Sequence, residues 1–164
     1  MPSTYTPIAT QTLTGTSSQI TFSSIPATYT DIRLIASFQD TGQAAYIRLN
    51  SDSGSNYSRT VIYGYTTGAI STRGTSLTNL PFGGAAAGFY DISTLDFLNY
   101  SNTTTNKTSL MRQNSYTSST DIFVASQVFL WRSTAAINQI DIYATSANSL
   151  KAGSTFTLYG IKAA

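Results

Sequence analysis

The sequence predicts an all-β protein folded as an antiparallel β-sandwich, for which a jelly roll is the common closed arrangement at this size. Apolar and polar residues alternate with a period of two in segment after segment, and turn-forming residues separate these segments. Sustained helical periodicity does not occur. The 164 residues fit one domain, 1–164, which is large enough to bury a core without disulfides.

About nine or ten strands are expected. The alternation is clearest in four segments, 31–38, 45–50, 140–145 and 155–159, which read as strands with one face on a core and one in water. Further strand candidates are 5–13, 19–22, 57–63, 90–98, 107–112 and 122–131. Segment 122–131 is apolar on both faces, which indicates a central position in a sheet or a contact between subunits.

One stretch departs from the pattern. Residues 64–88 hold six of the eleven glycines, which predicts a Gly-rich loop or arm. The simpler interpretation is a hairpin followed by a flexible loop. The alternative is an extended arm that becomes ordered against a partner, because long loops in compact domains are often functional.

The composition removes most routes to catalysis. The chain has no histidine, cysteine or glutamate, whereas 50 positions are serine or threonine. Histidine and cysteine are the usual bases, nucleophiles and transition-metal ligands. Charged residues make up 10% of the chain, against about 25% in an average globular protein, so the predicted surface is polar but uncharged.

Specific tests for chemistry also point away from an enzyme. No Gly-x-Ser-x-Gly elbow, dinucleotide-binding spacing or Walker motif occurs. A glycosidase would have to use two of the seven aspartates, and three of these, Asp31, Asp91 and Asp121, open predicted strands after a turn. Residues 50–56 place oxygen donors at alternate positions but lack the acid that closes a calcium loop, so we predict a hairpin turn there.

We therefore expect a non-enzyme with no catalytic residues, no cofactor and no metal. The nine basic residues are scattered singly, which argues against nucleic-acid binding. No apolar run is long enough for a membrane span, and the first residues do not resemble a signal peptide. Tyr46, Tyr143 and Tyr159, with Trp131, are candidates for a sugar-stacking platform, although tyrosine is also common at outward strand positions.

Three segments, 25–34, 47–58 and 153–162, resemble in order and character a family of small virion structural proteins of tailed bacteriophages. The resemblance implies a β-rich, non-enzymatic component of the particle. A head decoration (cement) protein that binds and stabilises the lattice of the major capsid protein is favoured. A tail or fibre-associated adhesin, or a carbohydrate-binding module, is the alternative.

This interpretation fixes the expected partners and location. The partners would be the major capsid protein and further copies of the chain, as a trimer in preference to a dimer, without nucleic acid or membrane. The chain would be made in the host cytoplasm and reside on the virion, on the outer capsid surface. The candidate contact residues are Tyr65, Pro81, Phe82, Phe89 and Trp131.

Overall fold

The computed structural model describes residues 4–41, 45–65, 68–83, 88–116, 122–145 and 149–162, apart from the side chains of Tyr65 and Tyr116. These residues form two antiparallel sheets, which confirms the predicted β-sandwich. The strands are β1 (Tyr5–Thr12), β2 (Gln19–Phe22), β3 (Asp31–Phe38), β4 (Ala45–Leu49), β5 (Tyr57–Tyr65), β6 (Gly68–Leu77), β7 (Leu80–Pro81), β8 (Asp91–Leu98), β9 (Lys107–Tyr116), β10 (Ile122–Trp131), β11 (Ile140–Ala144) and β12 (Thr155–Ile161).

The two sheets differ in size. The large sheet has eight strands in the order β1-β12-β3-β8-β9-β10-β5-β6, and the small sheet has four in the order β2-β11-β4-β7. The chain passes from one sheet to the other at every connection except β5–β6, β8–β9 and β9–β10. The hairpins β5–β6 and β9–β10 interrupt this alternation, and together they extend the large sheet beyond β8.

The core lies between the sheets and follows from the period-two alternation. In β3 every second side chain, beginning with Ile32, is buried, and the residues between them are less buried. The Phe38 ring stacks on Phe82 and Phe156, with centroid distances of 5.4 and 5.5 Å. Removing an aromatic side chain of this size from water stabilises the fold by about 1.5–3 kcal/mol.

Within the described part of 64–88, the hairpin of the simpler interpretation is confirmed as β5–β6, and the chain then continues into the short strand β7. This part contains the rest of β5 and all of β6 and β7, and these last two raise the strand count among the described residues from the expected nine or ten to twelve. Gly83 marks tight packing, because a Cβ there would lie 2.3 Å from Phe38 Cζ. Residues 84–87, at the end of the predicted arm, lie outside the described residues.

The predicted hairpin turn over residues 50–56 is also a correction. β4 belongs to the small sheet and β5 to the large one, so this segment crosses between sheets. Asn50 and Ser51 adopt left-handed φ angles of 52° and 57°. The Asn50 side chain donates to Ala136 O at 2.8 Å and accepts from Gln139 N at 3.1 Å, so it ties the crossing to the chain that follows β10.

Candidate interaction surface on the large sheet

The outer face of the large sheet becomes apolar around β10. This strand lies between β9 and β5, which confirms the central position expected for segment 122–131. Its odd-numbered side chains turn toward the core, whereas Ile122, Val124 and Val128 turn outward. Val124 is 61% exposed, as is Ile62 on the neighbouring β5. Large aliphatic side chains this exposed on adjacent strands mark a candidate interaction surface.

A groove of about 580 Å³ runs across this face. Gly64 on β5 and Ala69 on β6 are paired and contribute little bulk, while Ile62 and Val124 rise beside them. A Cβ at Gly64 would lie 3.5 Å from Val124 Cγ1, so the glycine leaves room that a side chain would fill. The groove reaches Ile92 on β8, and its lining is mainly apolar. We call this set of outward-facing residues on β5, β6, β8, β9 and β10 the apolar face.

Arg112 and Asn114 of β9 bring polar groups into the apolar face. Arg112 pairs with Ser126 on β10 and with Thr94 on β8, and Asn114 lies two positions along the same strand. Arg112 is exposed, and none of the described residues accepts a hydrogen bond or forms an ion pair with its guanidinium. Because no carboxylate is bonded to it, the guanidinium of an arginine that lies among aliphatic side chains can bind a carboxylate of another molecule.

A second depression continues the groove toward the end of the sheet. Ile92 and Asn114 line both depressions, and the second is completed by Phe89, Tyr90 and Ile122. Tyr90 and Ile122 are exposed. The apolar face therefore extends from the edge strand β6 to the residues that precede β8.

The structure separates the five predicted contact residues. Phe89 lines the continuation of the groove, and Pro81 lies on the edge strand of the small sheet beside Tyr46. Phe82 and Trp131 are corrections, because their side chains are 0% and 3% exposed and form part of the core. The side chain of Tyr65 lies outside the described part of the structure.

Trp131 is instead the anchor of the segment that joins β4 to β5. Its indole Nε1 donates to Asp52 Oδ2 at 2.7 Å, and its ring stacks on Tyr57. Asp52 also accepts from Gly54 N at 2.8 Å and from Asn56 Nδ2 at 2.9 Å. Burial acts to raise the pKa of Asp52, but the bonds from Trp131, Asn56 and Gly54 together lower it. The carboxylate that the sequence offered as a calcium ligand thus faces N–H donors.

Asp141 and Asp96 are bonded to side chains of neighbouring strands and connections. Asp141 accepts hydrogen bonds from Thr21 at 2.7 Å, Ser51 at 3.0 Å and Gln139 at 2.9 Å. Asp96 is held in a bidentate ion pair with Arg33. Within the described ranges, no three His, Cys, Asp or Glu side chains come together in a way that could hold a metal ion.

A buried polar chain runs beneath the apolar face. Gln113 Nε2 donates to Asp91 Oδ1 at 3.0 Å, and Gln127 Nε2 donates to Gln113 Oε1 at 3.3 Å. All three residues are buried, and Arg59 reaches Gln127 from β5. Satisfied networks of this kind fix the register of neighbouring strands, so we assign this one to holding β8, β9, β10 and β5 in place.

The tyrosines proposed as a sugar-stacking platform are divided between the sheets. Tyr46 and Tyr143 are neighbours on the small sheet, with ring centroids 6.0 Å apart, and Arg48 lies over the Tyr143 ring. Tyr159 packs edge-on against Tyr5 on the large sheet. The three tyrosines and the buried Trp131 therefore do not form one surface.

The sequence matches no known family model, and no curated protein is significantly similar to it. No helix in the described part of the chain is long and apolar enough to cross a membrane.

Sequence reasoning missed Ile62, Arg112 and Val124 as candidate contact residues. The available signal was the apolar character of both faces of segment 122–131, which indicated either a central strand or a subunit contact. The structure shows that β10 is central and that it also leaves apolar side chains exposed. The place of Arg112 beside them depends on the pairing of β9 with β10, which the sequence does not reveal.

Proposed function

We propose that this chain is a non-enzymatic virion structural protein, a head decoration protein that binds and stabilises the lattice of a major capsid protein. The apolar face of the large sheet carries the proposal. Exposed aliphatic side chains such as Ile62 and Val124 are costly to leave in water and are covered when a partner docks. The resemblance of segments 25–34, 47–58 and 153–162 to phage virion proteins supports the choice of partner.

The strand order supports the same proposal. We assign β1-β12-β3-β8 and β2-β11-β4-β7 as the two four-stranded sheets of a jelly roll, with the hairpins β5–β6 and β9–β10 as insertions that widen one sheet. Jelly rolls recur in viral capsid proteins and lectins. In this assignment the inserted hairpins supply most of the apolar face, which is where a function added to a common scaffold is expected.

The mechanism would be thermodynamic linkage. A subunit that binds only the assembled lattice stabilises it by RT ln(1 + [L]/Kd) per site, and contact with two capsomers adds avidity. A surface with few charges suits this role, because burying it leaves few unpaired ions to desolvate. We further propose that the chain acts as a trimer, which would present several copies of the apolar face at once.

The test compares particles assembled with and without this chain. Heat and osmotic resistance should fall in its absence and return when purified chain is added back. Unchanged particle stability would contradict the cementing role. Loss of adsorption to host cells with unchanged particle stability would favour the adhesin alternative, and light scattering that finds only a 17.6 kDa species at high concentration would contradict the trimer.

A further inference from the structure

We infer that the groove around Arg112 is the docking site for a protein segment of the capsid shell that presents a carboxylate side chain between aliphatic residues. The inference rests on the proposed function and deepens it, because it names the surface used and the chemistry of the partner. The guanidinium of Arg112 would bind the carboxylate. Ile62, Val124 and Ile92 would cover the aliphatic neighbours.

The charge of the apolar face determines the chemistry of the partner. Of the described outward-facing residues on β5, β6, β8, β9 and β10, the charged ones are Arg73, Arg112 and Asp96, and Asp96 is already held in the ion pair with Arg33. No described residue supplies a counter-charge to Arg112. Covering an unpaired guanidinium with a neutral or basic surface would cost free energy, whereas a carboxylate with suitable geometry offsets that cost.

The same charges argue against a second copy of this face as the occupant. In a two-fold contact the same patch is present on both subunits, so arginines would meet arginines. The outward carboxylate on β8, Asp96, is engaged with Arg33, and the described residues of β5, β6, β9 and β10 provide none that could separate the arginines. A different surface that carries a negative charge is complementary where a second copy is not.

The shape of the groove favours an extended segment. Its floor is lowered at Gly64 and Ala69, and it crosses several strands toward Phe89 and Tyr90. Asn114 lies in the part that both depressions share, where its amide can bond to the backbone of a bound segment. Apolar contact and one charged anchor would then be combined within a short stretch of partner chain.

The experiment measures binding of the purified chain to capsid shells assembled without it, by co-sedimentation. Arg112→Glu should weaken binding at least roughly tenfold, because it places two negative charges together. Val124→Thr, which keeps the shape and removes apolar character, should weaken it less. Lys162→Glu and Ile35→Thr are the matched controls, since the first reverses a charge and the second removes apolar character from an exposed strand position outside the groove, and both should bind like the wild type.

A second arm tests the carboxylate directly. Shells whose carboxylates have been amidated with a carbodiimide and glycinamide should bind the wild-type chain weakly. An Arg112→Gln variant should bind amidated and untreated shells with similar, low affinity, because it no longer uses the charge. Circular dichroism and the unfolding temperature of each variant establish that it is folded.

The outcomes separate the two proposals. If the wild-type chain does not bind shells, the decoration role itself fails, and this inference fails with it. If the wild type binds and Arg112→Glu and Val124→Thr bind equally well, the role stands and the groove is excluded. Wild-type self-association that Val124→Thr weakens, with shell binding unchanged, would assign the face to a second copy and overturn the inference.

Discussion

The outer face of the large sheet has two halves with different surfaces, a first half on β1, β12, β3 and β8 and a second half on β9, β10, β5 and β6. The groove of the second half reaches Ile92 of β8. On β1 and β12, threonines are hydrogen-bonded in cross-strand pairs, Thr10 with Thr157 at 3.1 Å and Thr12 with Thr155 at 3.3 Å. On β5 and β10, aliphatic side chains such as Val124 stand exposed instead. The threonine hydroxyls of the first half are hydrogen-bonded to one another, whereas the exposed aliphatic side chains of the second half would be stabilised by burial under a partner.

The charged residues show the same difference. Arg33 on β3 binds Asp96 on β8 through two nitrogens, and this pairing raises the pKa of Arg33. Arg112 on β9 has no such partner among the described residues. Polar groups in the first half are thus bonded to one another, while in the second half a charge is left available. The bonded polar groups of the first half stabilise the fold, and the exposed aliphatic side chains of the second half support the proposal that a partner binds there.

The largest expected effect comes from adding one methyl group to a strand of each half, on the inner side of the sheet at Gly160 of β12 and on its outer side at Gly64 of β5. A Cβ at Gly160 on β12 would lie 2.4 Å from Tyr29 ring carbons, whereas one at Gly64 would lie 3.5 Å from Val124 Cγ1. Gly160→Ala should therefore destabilise the protein by about 1–3 kcal/mol, and Gly64→Ala should change its stability by less than about 0.5 kcal/mol. Urea unfolding of both variants is the measurement, and equal losses would contradict the comparison.

Acidification tests the contact between Asp52 and Trp131, which lies on the inner side of the second half. The pKa of Asp52 is lowered in the folded state, so the unfolded chain binds a proton more readily in acid. The stabilisation is complete above the unfolded pKa of about 3.9 and is lost as the pH falls through the lower folded pKa. Asp52→Asn should cost about 1–2 kcal/mol at neutral pH, and fluorescence of Trp131 reports the change.

The control for this prediction is the free energy of unfolding of the wild type and of Asp52→Asn, measured at each pH. Because other aspartates titrate in both proteins, only the difference between these two free energies belongs to Asp52. That difference should become smaller on acidification. A difference in the free energy of unfolding that stays constant from pH 7 to pH 2 would show that the carboxylate charge does not stabilise the contact with Trp131.

The smallest expected effect is the loss of stability when Arg33 or Arg112 is replaced. Arg33→Gln removes a partly exposed ion pair and should destabilise the fold by about 0.2–1 kcal/mol. Arg112→Gln should leave stability within about 0.5 kcal/mol of the wild type, because no described residue bonds to the guanidinium. Thermal unfolding at low and high salt measures both. A greater loss from Arg112→Gln would mean that this residue serves the fold.

Much of the fold could be predicted from the local sequence, and much of the candidate surface could not. The alternation in segment 31–38 predicted β3 and its buried residues, because burial of every second side chain is a local pattern. The hairpin in 64–88 could also be predicted, whereas the role of Gly83 could not, because the contact that requires a glycine there is with Phe38, which is remote in the chain. Trp131 was expected at a contact because the sequence does not show that Asp52 lies beside it.

The sequence by itself determined that this protein would be a sparsely charged, hydroxyl-rich assembly of β-strands without histidine, cysteine or glutamate. Only the tertiary structure decided which strands became neighbours and therefore which side chains share a face. Ile62, Arg112 and Val124 lie together because β9, β10 and β5 pair through backbone hydrogen bonds. Those bonds are made by backbone N–H and C=O groups that every residue other than proline carries, so the local pattern of side chains does not reveal the strand order.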